Sequence, residues 1–229
     1  MKHRPYFTNR KEAGRALAQR LNAYEDRPDV VVVALPPGGV PVAYALAHAL
    51  NVALDVVLAS AISVEDNPDH ALLAVGSDGM EIVNREAAHA YDIAHAEIGA
   101  MARREHHEIN LKELIYRGQR PSVDLREKTV IVVDEGAVTG TTLLHTVRLL
   151  RTRHSVRIVV AVPVTPPEAR EKLRKAADDV VCVHTPAVST SVEEWYQDFP
   201  PVSPEDVRKL LEHIAPAQTV PGARTRKTG

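Results

Sequence analysis

Five short, predominantly apolar runs rich in β-branched residues constrain this chain most: Val30–Leu35 (VVVVAL), Leu54–Ala59 (LDVVLA), Thr129–Val133 (TVIVV), Val156–Val164 (VRIVVAVPV) and Val180–His184 (VVCVH). A strand that is apolar at every position, rather than at alternate ones, needs cover on both faces, as in a parallel sheet sandwiched between helices. AYALAHAL follows the first run, LLHTVRLLR the third and PPEAREKLRKAA the fourth, so strand and helix alternate and right-handed βαβ units are the economical connection. Lys11 to Leu21 places Ala13, Leu17 and Leu21 at helical spacing behind Asn9, a candidate cap. SPEDVRKLLEHI, near the end, carries a Ser cap, a Pro at the first helical position and acids in the first turn.

The middle of the chain breaks this rhythm. Between Ile62 and Val83, EDNPDH suggests an exposed loop, and LLAVG and MEIVN suggest two short strands around the turn SDG. Arg85 to Tyr116 is rich in Ala, Glu, Arg and His without proline, which predicts one or two long polar helices. PAQTVPGARTRKTG at the end lacks periodicity and is expected to be a disordered tail.

With 229 residues, 45% hydrophobic and 25% charged, the chain suits one domain, because single cores commonly stop growing at about 250 residues. A net charge of -2 gives no global reason to bind nucleic acid or an anionic membrane. Cys182 is the only cysteine, which excludes an internal disulfide or a multi-cysteine zinc site, and it sits in a run that reads as a buried strand. The polar N-terminus lacks the apolar core of a signal peptide, and no apolar run approaches the roughly 20 residues needed to cross a bilayer. A cytoplasmic location is expected.

The third run continues as VIVVDEGAVTGTT, Val130 to Thr142. Gly140 permits a tight turn with backbone N–H groups facing one point, the hydroxyls of Thr139, Thr141 and Thr142 add donors, and the first turn of the next helix adds unpaired N–H groups and a positive dipole end. Together they describe a phosphate cradle. Asp134 and Glu135 cannot share a phosphate's place and suit vicinal hydroxyls or a magnesium ion instead. No lysine follows Gly140, so this is not a nucleoside-triphosphate P-loop, and no GxGxxG follows a strand. The residues alone also allow a buried strand leading to a Thr-capped helix with no ligand.

The same stretch resembles the phosphoribosyl-diphosphate signature of type I phosphoribosyltransferases: four apolar residues, two acids, a small loop and Thr-Gly followed by threonines. VVVALPPGGVPVAYALAHAL, DNPDHALLAVG, VVAVPVTPPEA and EEWYQDF extend the resemblance to a bacterial and archaeal subgroup of that superfamily, from Phe7 to about Ile214. The resemblance implies a mostly parallel α/β sheet flanked by helices with a small hood, in one domain over residues 1–215. Hood elements would lie at about 62–120 and 185–200, and residues 216–229 would form a tail. It implies Mg²⁺-dependent transfer of ribose 5-phosphate from phosphoribosyl diphosphate to an acceptor, with release of pyrophosphate. Asp134 and Glu135 would orient the ribose hydroxyls and carry catalysis. Gly136, Ala137, Val138, Thr139, Gly140, Thr141 and Thr142 would hold the 5-phosphate, and Pro36, Pro37, Gly38 and Gly39 would form the pyrophosphate loop. Mg²⁺ would arrive with the substrate, with Asp134 and Glu135 as its protein neighbours. The expected partner is a small molecule, phosphoribosyl diphosphate or a nucleoside monophosphate, with a homodimer as a candidate assembly and neither nucleic acid nor membrane.

Three departures from the subgroup bear on this. Asp-Glu replaces the commoner Asp-Asp, which lengthens the second arm by a methylene. Pro37 stands where the subgroup has arginine, and Ser60-Ala61 where it has an Arg-Lys pair. Each lost charge-assisted contact to a diphosphate costs about 1.5–3 kcal/mol. Arg85, Arg103 and Arg104 are candidate replacements. The alternative function is a ribose-phosphate or nucleotide-binding regulatory protein that has lost transfer, and a hydrolase or phosphorylase of a phosphoribosyl compound is a third reading. Glu105, His106, His107 and Glu108 allow a metal site or a solvated helix face. His70 is either a substrate-facing or an exposed loop residue. Trp195, Tyr196 and Phe199 either stack on a base or pack a cap over the sheet.

Overall fold

The computed structural model describes residues 5–64, 71–118, 120–187 and 189–214. The expected tail at 216–229 and His70 lie outside the described residues.

Five parallel strands form the main sheet: β1 (Val30–Ala34), β2 (Ala53–Val56), β6 (Thr129–Val133), β7 (Arg157–Val164) and β8 (Asp179–His184), in the order β2-β1-β6-β7-β8. β1 and β6 are buried at all five positions each, as their unbroken apolar runs demand. One face of the sheet packs against α1 (Arg10–Arg20), α2 (Gly39–Leu50) and α7 (Pro204–Glu212), through Leu17, Leu46, Leu50 and Leu211. The other face packs against α5 (Thr141–Arg151) and α6 (Pro167–Arg174), through Leu143, Val147, Leu150 and Leu173. The caps read from sequence are present: the Asn9 side chain accepts from the Glu12 N–H, and Ser203 and Asp206 form a reciprocal capping box.

The smaller sheet is antiparallel, β3 (Ala59–Ser63), β4 (Ala71–Gly76) and β5 (Met80–Val83), with β4 in the middle. The long polar segment forms two helices, α3 (Arg85–Ala90) and α4 (His95–Arg117), broken at Tyr91–Ala94 with Asp92 left-handed at φ 51°. Ile98, Ala102 and Ile109 of α4 close over Leu72, Leu73 and Val75 of β4 as a second core.

The run Leu54–Ala59 is not one strand. The chain leaves the main sheet after Val56, and Ala59 already pairs with Gly76 in the smaller one. Val57 still donates to the Ala34 carbonyl, whereas Leu58 donates to the Ser77 hydroxyl and packs in the second core. Hydrophobicity is continuous across the switch because both ends are buried, each in a different core. Ser60 and Ala61 therefore sit inside β3.

A buried ion pair braces the join. Arg117, at the end of α4, donates to the Asp55 carboxylate at 2.7 Å and the Val56 carbonyl at 2.8 Å, and pairs with Glu113 at 3.0 Å. Asp55 also accepts the Val56 and Val123 N–H groups, both at 2.8 Å.

Candidate functional site

Strand order reverses direction between β1 and β6: β2 lies outside β1, and β7 and β8 outside β6. In a parallel α/β sheet such a switch point opens a crevice at the carboxyl ends of the strands, where ligands bind. Ala34 pairs with Val133, so the loops beginning at Leu35 and Asp134 leave the sheet at the same level. The structure thus brings Pro36–Gly39 and Asp134–Thr142, about 100 residues apart in sequence, side by side.

The contact between them is closer than the sequence suggests. A Cβ on Gly38 would lie 2.1–2.3 Å from the Glu135 carboxylate atoms, and one on Gly39 would lie 2.9 Å from the Val133 carbonyl and 3.0 Å from the Asp134 Cα. Both glycines serve first to let the loop lie on the two acids. Gly39 donates to the Leu35 carbonyl at 3.0 Å and Val40 to the Pro37 carbonyl at 3.2 Å, and Pro36, Pro37 and Pro41 have no N–H. Among the described residues, Gly38 is left with the one loop amide that has no main-chain acceptor. The loop is therefore a poorer amide cradle than its two glycines imply.

The acids are held differently from one another. Asp134 is half-buried and its Oδ1 accepts the Glu135 N–H at 2.8 Å. Burial, and next the Glu135 carboxylate, push its pKa up to about 7, although that N–H and the Arg10 charge oppose the rise. Glu135 instead has a cation: Arg10 Nε donates to Oε2 at 2.5 Å, with side chains 9% and 21% exposed. Arg10 also donates to the Pro200 carbonyl at 2.8 Å, and its guanidinium lies 3.6 Å over the Phe199 ring. The Tyr196 hydroxyl donates to the Glu135 carbonyl at 2.6 Å, and burial holds that phenol well above its ordinary pKa, so it stays a donor.

Beyond the acids, Gly136 lies against Trp195, and Ala137 donates to the Val164 carbonyl at 3.0 Å. Gly140, left-handed at φ 72°, is the N-cap of α5 and brings no side-chain cap. The Thr141 N–H donates to the Thr139 hydroxyl at 3.4 Å, and the positive end of the helix lies between the exposed Thr139 and Thr142. Lys172 Nζ donates to the Thr139 carbonyl at 3.1 Å. Thr141, Thr142 and His145, on consecutive turns of α5, face Ala59, Ser60, Ala61 and Ser63 of β3 across a cavity of about 170 Å³.

Some candidates have other roles. The Ser60 hydroxyl donates to Glu105 at 2.7 Å, so α4 is tied there to the antiparallel sheet, and His106 lies 3.3 Å from Glu81. Among the described residues no group of three or more His, Cys, Asp or Glu could hold a metal ion. Arg85, Arg103 and Arg104 are exposed, and their side chains make no hydrogen bond or ion pair among the described residues. Trp195 and Tyr196 are buried with Phe7 and Val164, the packing alternative of the two considered. Cys182 is buried, with Sγ 3.2 Å from the Thr185 hydroxyl. Sequence reasoning misses Arg10 and His145. His145 has a weak signal, one helical turn beyond Thr141; Arg10 has none, since an arginine opening an amphipathic helix reads as solvated.

The family model for the phosphoribosyl transferase domain matches residues 7–201. The chain belongs to that family. A Mycobacterium tuberculosis (strain H37Rv) protein named "Putative phosphoribosyl transferase Rv0571c" is 32% identical over 206 residues, which cover 90% of this chain and 46% of that protein. This chain thus spans about half the length of the curated relative it matches. The crystal structure of TT1426 from Thermus thermophilus superposes with a TM-score of 0.80 at 34% identity, covering 91% of this chain and 99% of that one. Membership of the phosphoribosyltransferase superfamily and the α/β fold expected from the signature are both borne out. No described helix is long and apolar enough to cross a membrane.

Proposed function

We propose that the protein is a cytoplasmic phosphoribosyltransferase that moves ribose 5-phosphate from phosphoribosyl diphosphate to a small-molecule acceptor. The observation that carries this reading is the meeting of the Pro36–Gly39 and Asp134–Thr142 loops at the switch point, with two carboxylates between them. The N-terminus of α5 and the hydroxyls of Thr139, Thr141 and Thr142 would take the 5-phosphate, with Gly136, Ala137 and Val138 lining it. Asp134 and Glu135 would accept hydrogen bonds from the ribose hydroxyls. The cavity between α5 and β3 supports a place for the remainder of the ligand, beside His145.

Catalysis would be positioning and electrostatics as the bond from C1 to pyrophosphate opens. Mg²⁺ would neutralise the leaving diphosphate. Two adjacent carboxylates fit a magnesium ion that keeps waters and substrate oxygens, and not an all-protein cage. Residues 1–215 would form the working domain, with hood elements at about 62–120 and 185–200.

Calorimetry with phosphoribosyl diphosphate, ribose 5-phosphate and a nucleoside monophosphate, each with Mg²⁺, tests the reading. Micromolar binding of the diphosphate donor, lost in Thr139→Val/Thr142→Val with an unchanged melting temperature, is expected. Unchanged affinity in that variant refutes the cradle assignment. The single free amide of Pro36–Gly39 favours one rival, a ribose-phosphate-binding protein without transfer; tight ribose 5-phosphate binding with no diphosphate binding would establish it.

A further inference from the structure

We propose that Glu135 is an internal stand-in for the diphosphate, and that Arg10 is the cation that passes from Glu135 to the ligand. The inference rests on the diphosphate-donor reading above. Three observations converge on it. The loop has one amide without a main-chain acceptor and no basic side chain, so a group with roughly three negative charges has little to hold it there. The Glu135 carboxylate already occupies the space directly against Gly38. The guanidinium neutralising that carboxylate comes from Arg10, fixed from behind by the Phe199 ring and the Pro200 carbonyl.

An anion thus sits on the loop in the unliganded protein, paired with a nearly buried arginine. An arriving diphosphate and the Glu135 carboxylate would repel, so both cannot stay. Glu135 has the longer arm of the acid pair and can turn toward the ribose hydroxyls while its main chain remains pinned by Tyr196. Arg10 cannot follow, because its stacking and its bond to Pro200 fix the guanidinium, and its planar fork then faces the diphosphate. Arginine at the N-terminal helix would in this way do the work that Pro37 cannot. Arg10 is a binding residue for the diphosphate in this scheme and a positioning residue for Glu135 before it.

The test uses inorganic pyrophosphate without metal, ribose 5-phosphate, and three proteins: wild type, Glu135→Gln and Arg10→Met/Glu135→Gln. Neither variant leaves the Glu135 carboxylate without its cation, Arg10 in Glu135→Gln keeps its bond to Pro200 and its stacking on Phe199, and melting curves check that each variant is folded. Glu135→Gln should bind pyrophosphate about 10-fold more tightly than wild type, because the competing anion is gone. Arg10→Met/Glu135→Gln should bind it about 10- to 100-fold more weakly than Glu135→Gln, the value of one charge-assisted contact. Ribose 5-phosphate affinity should differ less than about 3-fold between the two variants. A merely structural Arg10 would weaken both ligands alike. Equal pyrophosphate affinity in the two variants, or no gain in Glu135→Gln, overturns the proposal while wild-type binding of phosphoribosyl diphosphate leaves the transferase reading standing. Absence of pyrophosphate and phosphoribosyl diphosphate binding in all three proteins overturns both.

Discussion

The six-membered ring of Trp195 lies where a side chain on Gly136 would have to be, with two ring carbons 2.5 and 2.9 Å from the position of a Cβ. Trp195 is itself held by the N-terminal segment, since its carbonyl accepts the Tyr6 and Phe7 N–H groups and Gln197 donates back to Phe7. Residues near both ends of the described chain therefore close over the start of the signature loop. Gly136→Ala should overpack this contact and lower stability by about 1–3 kcal/mol. Gly136→Ala/Trp195→Phe, with a smaller ring, should recover part of the loss. Thermal unfolding of the two proteins decides it; equal melting temperatures would show that the ring moves freely.

Gly38→Ala meets a different neighbour. Its methyl would strike the flexible end of Glu135 rather than main chain, so the fold should survive while the Arg10–Glu135 pair is displaced. A cost of about 1–3 kcal/mol is expected in wild type, falling to about zero when the same change is made in Glu135→Ala. Urea unfolding of the four proteins of this cycle measures the coupling, and additive effects would exclude the contact.

Asp134 imposes a pH dependence of definite sign. Its folded pKa, raised to about 7, lies above the ordinary 3.8, so the folded state holds the proton more tightly than the unfolded chain does. The stability this contributes is complete below pH 4 and disappears as pH rises through about 7. Asp134→Asn should therefore gain on wild type between pH 5 and 8, read by urea unfolding at both values. A constant difference across that interval would show that the carboxyl titrates normally.

Arg117→Met removes the partner of the buried Asp55 and should cost about 3–5 kcal/mol. For a domain of this size the melting temperature should fall by on the order of 10 °C. Asp55→Asn/Arg117→Met, which leaves only the Glu113 carboxylate behind, should be less damaged than Arg117→Met, and the reverse order would indicate that Asp55 is well satisfied by the Val56 and Val123 amides alone.

The framework of the fold was legible because its signals are local. Five apolar runs, helices with caps at Asn9 and Ser203 and the small-residue loop after Val133 each follow from neighbours within a few residues. Leu54–Ala59 shows where that stops. Burial in either core looks the same in sequence, so the exit from the main sheet after Val56 had no signal. The site divides in the same way. Asp134, Glu135 and Gly140 are named by a contiguous motif. Arg85, Arg103 and Arg104 are the cations the sequence offers to a diphosphate, and the pairing of Arg10 with Glu135, 125 positions away, has no signal in it.

By itself the sequence determined the parallel α/β class, the family and the residues of the signature loop, because periodicity, capping and a contiguous motif depend on residues close along the chain. Only the tertiary structure decided that Gly38 is bare to receive Glu135, that Arg10 stands behind that carboxylate on Phe199, and that Trp195 closes on Gly136. Those contacts join segments from both ends and the middle of the chain, and the strand order of the sheet, which no local pattern encodes, is what sets them side by side.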